Sequence, residues 1–107
     1  MESAAVLYSA NIIDAFEGCR VYRSTAGECI LRVALKTNVS ASAGAVLIAA
    51  PAGYLPSGQF RVVAWLQSGG PAQFVPLTIV AGTGNVYCEA SLVANAVVVG
   101  TFVYPRA

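Results

Sequence analysis

The 107-residue sequence contains no histidine. That absence removes the Ser-His and Cys-His nucleophile systems and the commonest metal-ligating side chain. Carboxylates are scarce as well: beyond Glu2 they are Asp14, Glu17, Glu28 and Glu89. Glycoside hydrolysis needs two carboxyl groups facing one bond, and nothing in this spacing supplies such a pair. Gly82-Thr83-Gly84 is rich in glycine, but no lysine follows it and no helix opens after it, so it reads as a turn and not a phosphate loop. With no Cys-x-x-Cys pair either, a zinc site is not expected. The residues point to a protein that is not an enzyme and uses no cofactor or metal.

Charge is equally sparse. Charged residues make up 10% of the chain, hydrophobic residues 57%, and the formal net charge is +1. No basic footprint for a nucleic acid is present. The most apolar windows, Ala43 to Ala52 and Ala94 to Val103, contain Gly or Pro. They fall far short of the roughly 20 residues that a membrane-spanning helix needs. Met1 to Leu7 lacks the basic start of a signal peptide. The length fits one domain. A small domain cannot bury this much apolar surface by itself, so the chain is expected to live in an assembly.

Cysteine occurs three times, at Cys19, Cys29 and Cys88, an odd count that argues against a complete disulfide framework. If Cys19–Ser24 and Glu28–Lys36 pair across a turn at Thr25-Ala26-Gly27, Ser24 faces Glu28. Cys19 then lies opposite Val33 and Cys29 opposite Arg23, too far apart to bridge. Free buried thiols and a reducing site of synthesis are expected.

What the sequence does have is alternation. In Glu28 to Lys36, Cys29, Leu31, Val33 and Leu35 line one face, while Glu28, Arg32 and Lys36 line the other. Cys19 to Ser24 alternates too, with Arg20 and Tyr22 sharing a face. In Gln59 to Gln67, Phe60, Val62, Ala64 and Leu66 oppose Arg61, Val63, Trp65 and Gln67. Thr37 to Gly44 reads as a surface loop. Pro76 in Gln73 to Val80 predicts an edge or a bulge. Val97 to Tyr104 has β-branched residues on both faces, which predicts a strand covered on both sides. Ile12 to Gly18 fits a short helical turn or a strand equally.

Between the strands sits a rigid corner. Pro51 fixes its own φ and Gly53 can supply a positive one, while Tyr54 follows and Pro56 sets a second turn with Ser57-Gly58. Strands recur with turn signals between them and no helical period intrudes. The pattern is all-β, a small antiparallel β-sandwich or jelly-roll-like barrel.

The order Val21-Tyr22-Arg23, Leu31-Arg32-Val33, Pro51-Ala52-Gly53-Tyr54-Leu55-Pro56-Ser57, Gly84-Asn85-Val86 and Val99 to Pro105 resembles the C-terminal β-domain of tailed-phage tail-fibre and baseplate proteins. The likeness covers roughly residues 11 to 105, and its most specific part is the Pro-Ala-Gly-Tyr-x-Pro-Ser corner. Ala50 stands where the family usually has Leu, and Leu55 where it often has Arg. The resemblance implies a β-sandwich that trimerises, a virion part made in the host cytoplasm, and in many members binding to a host-surface saccharide.

Two virion roles are expected. The resemblance favours a receptor-binding knob at the tail, whereas the short chain favours a trimeric capsid decoration or cement protein, which is the leading expectation with the tail knob as its alternative. The aromatic and polar side chains Tyr54, Arg61, Trp65 and Gln67 are the candidates for saccharide or partner contact, since an aromatic ring offers an apolar face with a polar edge nearby. Residues 1–10 are expected to form an arm ahead of a domain at 11–107. In the decoration role Val6, Leu7 and Tyr8 would anchor that arm to the capsid by strand pairing. The expected partners are further copies of the chain, other virion proteins and a host glycan, with no nucleic acid and no membrane insertion.

Overall fold

The computed structural model describes residues 2–8, 19–38, 40–71 and 73–107. Among them are nine strands and no helix. The strands are β1 (Glu2–Ala5), β2 (Leu7–Tyr8), β3 (Arg20–Arg23), β4 (Glu28–Lys36), β5 (Val46–Ala49), β6 (Phe60–Ser68), β7 (Gln73–Ile79), β8 (Asn85–Cys88) and β9 (Val97–Pro105). All pair antiparallel in one sheet, in the order β1-β3-β4-β9-β6-β7-β8-β5-β2. The fold is the expected all-β barrel-like class. Ile12 to Gly18, and the boundary placed between residues 10 and 11, lie outside the described residues.

The sheet's two end strands are neighbours in the chain, separated only by Val6. The sheet therefore curls until its ends meet. On one side Glu2 to Ala5 pairs with β3, and on the other Leu7 and Tyr8 pair with Ala49 and Ile48 of β5. Val6 is 3% exposed, and its N–H donates to the Cys19 carbonyl at 3.3 Å. The described part of the expected arm, residues 2–8, is thus built into the domain's own sheet. Its strand pairing is spent on β3 and β5, because an unpaired edge at either place would leave backbone groups without partners.

Alternation places the core. Cys29, Leu31, Val33 and Leu35 of β4 point inward with Val98 and Tyr104 of β9, Ala64 and Leu66 of β6, and Val75, Leu77 and Ile79 of β7. The β3–β4 register is the one that the turn dictates: Val21 faces Leu31, Arg23 faces Cys29, and the Ser24 N–H donates to the Glu28 carbonyl at 2.9 Å. β9 occupies the middle of the sheet, pairing along its whole length with β4 and on its other side with β6.

Three local expectations change. Thr37 is fully buried instead of sitting in a solvated loop, because its hydroxyl donates to the Val93 carbonyl at 2.7 Å and accepts from the Ala96 N–H at 2.8 Å. Pro76 is not on a sheet edge. It lies in β7 between β6 and β8, at the point where the β8 ladder ends, and its carbonyl accepts from the Glu89 N–H at 3.0 Å. There a missing donor breaks no further rung. β9 is covered only on its inner face, and Val103 on the outer face is 57% exposed.

The corner closes one end of the barrel. Gly53 has φ 90°, a conformation that favours glycine. Tyr54 is buried, its N–H donating to the Pro51 carbonyl at 3.1 Å and its carbonyl accepting from the Tyr104 hydroxyl at 2.6 Å. The Arg23 guanidinium lies over the Tyr54 ring, 5.2 Å from its centre, and reaches the Gly53 carbonyl at 3.4 Å. Pro56 is fully buried and bridges to Arg106, so the corner also holds the end of β9.

Two outcomes are expected. Val6→Ala should cost about 2 kcal/mol, and hydrogen exchange should quicken together at the β3 and β5 edges. A response at only one edge would show that Val6 does not tie them. Gly53→Val should lower stability by about 1–3 kcal/mol, since the side chain is strained at positive φ. The exposed Ser57→Ala should change it by about 0.5 kcal/mol or less. Thermal melts compare the two variants, and equal melting temperatures would remove the corner's special role.

Candidate functional site

The residues that face outward form two cross-strand rows. In β6, Arg61, Val63, Trp65 and Gln67 alternate with the core positions and are all exposed. Register sets Phe74 of β7 opposite Trp65, and Val99 of β9 opposite its other side. Ala34 of β4 lies opposite Val99 in turn. One row is therefore Ala34, Val99, Trp65 and Phe74. Trp65 and Phe74 meet edge to face with ring centres 5.2 Å apart, and they remain 39% and 70% exposed. Val63, 58% exposed, widens the apolar surface beside them.

The second row lies two positions further along the strands. Arg20 of β3 faces Arg32 of β4, and Arg32 faces Thr101 of β9. Together with Tyr22, Ala34 and Val99 they line an open groove of about 570 Å³. Val99 and Ala34 belong to both the groove and the aromatic row, so the two form one continuous outer surface. It combines an aromatic platform, which suits the apolar face of a sugar, with guanidinium and hydroxyl donors that suit its oxygens.

The structure brings Arg61, Trp65 and Gln67 onto this face and sends Tyr54 elsewhere. Arg61 is engaged: its guanidinium pairs with Glu89 at 2.8 Å, and the other Glu89 oxygen accepts from the Thr78 hydroxyl at 2.8 Å. Tyr54, at 8% exposure, belongs to the corner with Pro51, Gly53 and Pro56 and offers no ring to a ligand. Val6 is core, and Leu7 and Tyr8 pair with β5. Sequence reasoning passed over Phe74 and the Arg20–Arg32 pair. The signal for the pair was present, because the turn register that sets Cys29 against Arg23 also sets Arg32 against Arg20. Phe74 lay within similar reach, since only four residues, 69–72, separate β6 from β7, but the glycines at 69 and 70 leave the register of that hairpin open in the sequence.

The thiols offer no chemistry here. None of the three cysteines forms a disulfide and all are buried, in line with the odd count and with the hairpin register that keeps Cys19 from Cys29. Burial pushes the Cys19 thiol from 9.0 up to about 11, with a hydrogen bond to the Ala34 backbone opposing part of the rise. Burial likewise raises Cys88 and Cys29, the latter against an opposing contact with Tyr104. Thiols held protonated in this way are poor nucleophiles. Among the described residues no group of three His, Cys, Asp or Glu side chains comes together around a metal position. Nor is any described helix long and apolar enough to cross a membrane.

The fold and its outer face define a class: a small antiparallel barrel with aromatic and guanidinium side chains on one exposed strand face. The chain is similar to the crystal structure of the head domain of phage bIL170, one of the receptor-binding domains of lactococcal phages. The TM-score is 0.75 at 10% sequence identity, over 100% of this chain and 99% of that one. No protein-family model and no curated protein matches the chain.

The buried thiol gives a pH dependence. The folded protein holds the Cys19 proton up to about pH 11, whereas an unfolded thiol releases it near pH 9.0. The stabilisation is complete below the unfolded value and lost as pH rises through the folded one. Stability should fall across that interval, with Cys19 contributing on the order of 2–3 kcal/mol of the loss. Cys19→Ala should make the decline shallower in denaturant melts recorded at stepped pH, and parallel curves would rule this contribution out.

Proposed function

We propose that the chain is a receptor-binding knob of a tailed-phage tail, a virion part without enzymatic activity that recognises a saccharide on the host surface. The observation that carries this reading is the fold likeness to the bIL170 head domain, which extends over the whole of both chains. The same likeness supports the tail role over capsid decoration. The decoration role also loses the arm it relied on, because residues 2–8 pair within the domain's own sheet.

The saccharide contact in this reading is Trp65 with Phe74, at the edge of the Arg20–Arg32 groove. Gln67 stands exposed on the same strand face as Trp65 and supplies an amide donor and acceptor. The knob works as a homotrimer, an inference supported by the 57% hydrophobic content and by exposed apolar side chains such as Val103. Other virion proteins hold it in place. Neither a nucleic acid nor a cofactor enters this reading.

The test is binding of the fluorescently labelled chain to a panel of bacterial cells, with purified cell-wall polysaccharide as competitor. Saturable binding to some strains, removed by their own polysaccharide, is expected. Trp65→Ala should weaken it by about tenfold, the equivalent of roughly 1.4 kcal/mol. Binding to undecorated phage capsids with none to any cell would restore the decoration role. Sedimentation as a monomer at micromolar concentration would remove the trimer.

A further inference from the structure

The hairpin register sets two guanidinium-bearing residues side by side. Arg20 and Arg32 are direct cross-strand partners on the outer face, where facing Cβ atoms lie about 4.5–5.5 Å apart. Like charges so placed repel each other. Neither of the two acidic side chains that the structure describes, Glu28 and Glu89, pairs with them. Glu28, on the same strand face as Arg32, lies about 13 Å down the strand, and Glu89 is taken by Arg61. The pair thus concentrates positive charge in a chain of only +1 net charge. It does so beside the hydroxyl-bearing Tyr22 and Thr101, in a groove that also reaches the tryptophan row.

We propose that this groove binds an oxyanion, a phosphate or carboxylate, carried as a substituent on the saccharide that the knob recognises. The proposal rests on the receptor-binding reading and adds the charge class of the ligand and the residues that select it. A planar guanidinium matches an oxyanion with paired N–H donors, and two of them facing each other lose their mutual repulsion once an anion sits between them. Thr101 adds a hydroxyl at the end of the same row. The groove floor at Ala34 and Val99 then leads to Trp65. Strand spacing puts Arg32 and Trp65 about 12 Å apart, the reach of a short oligosaccharide. One end is held by its charge and the other by stacking.

Nuclear magnetic resonance titration of the full chain tests this, with inorganic phosphate, glucose 6-phosphate, glucuronate and glucose as probes. Glucose 6-phosphate and glucuronate should shift the signals of Arg20, Arg32 and Thr101, binding about tenfold more tightly than glucose, and added salt should weaken them. Arg32→Gln should abolish that preference, while Lys36→Gln, a loss of the same charge at the end of the same strand, should preserve it. An Arg32→Gln variant that still prefers the charged sugars overturns the proposal, as does a preference lost equally in Lys36→Gln. Inorganic phosphate that binds as tightly as both charged sugars would make the groove an anion site with no saccharide role and overturn it too. Cell binding separates the two readings. If the unaltered chain binds cells and Arg32→Gln binds them equally well, the groove assignment fails and the receptor role stands. If the unaltered chain binds no cells, the receptor role fails, and with it the saccharide as the carrier of the anion.

Discussion

A single curled sheet needs its two edges resolved, and every strand between them depends on how that is done. Here one short segment serves both edges. Glu2 to Ala5 completes the hydrogen bonding of β3, Leu7 and Tyr8 complete that of β5, and Val6 between them enters the core. Remove that join and two rows of backbone donors and acceptors face water at once, with the apolar interior open along the seam. The inward-pointing residues of β4, β6, β7 and β9 enclose a shared core only because the ends meet.

The inner and outer faces of the strands have separate duties. Inside, Val, Leu, Ile and Cys pack with no buried side-chain polar atom left without a partner among the described residues. Thr78 makes the division visible: it is fully buried, and its hydroxyl is satisfied only through Glu89, which in turn holds Arg61 at the surface. Outside, the face carries Trp65, Phe74, Arg20 and Arg32, residues whose placement costs the core nothing. A surface of this kind can change its contacts while the barrel beneath it stays as it is, which fits a likeness of fold at 10% identity.

How much of this was legible in the sequence follows from contact distance along the chain. The β3–β4 hairpin was readable to the residue, because a three-residue turn fixes its register and the alternation fixes its faces. The outward side of β6 was readable for the same reason. What could not be read were pairings between remote segments: β4 with β9, β6 with β9, and the split pairing of residues 2–8. Tyr54 shows the cost of that. Its ring and hydroxyl made it look like a contact residue, yet Arg23 and Tyr104, from far along the chain, draw it into the corner. The Arg20–Arg32 pair was within reach, since it needs only the hairpin register already in hand.

The position of β9 bears on how the domain is made. It is the last of the nine strands in chain order, yet it lies at the centre of the sheet, between β4 and β6. A ribosome making this domain delivers all of the flanking strands first, and they must wait with a gap where their common partner belongs. Before it arrives, β1-β3-β4 and β6-β7-β8-β5-β2 can each pair, but the ladder between them is missing. The sheet therefore closes only after β9 has left the exit tunnel, and such non-local pairing is slow. Until then the open edges of β4 and β6 are exposed to association with other chains. A cell producing many copies would have to keep these nascent chains apart until β9 arrives.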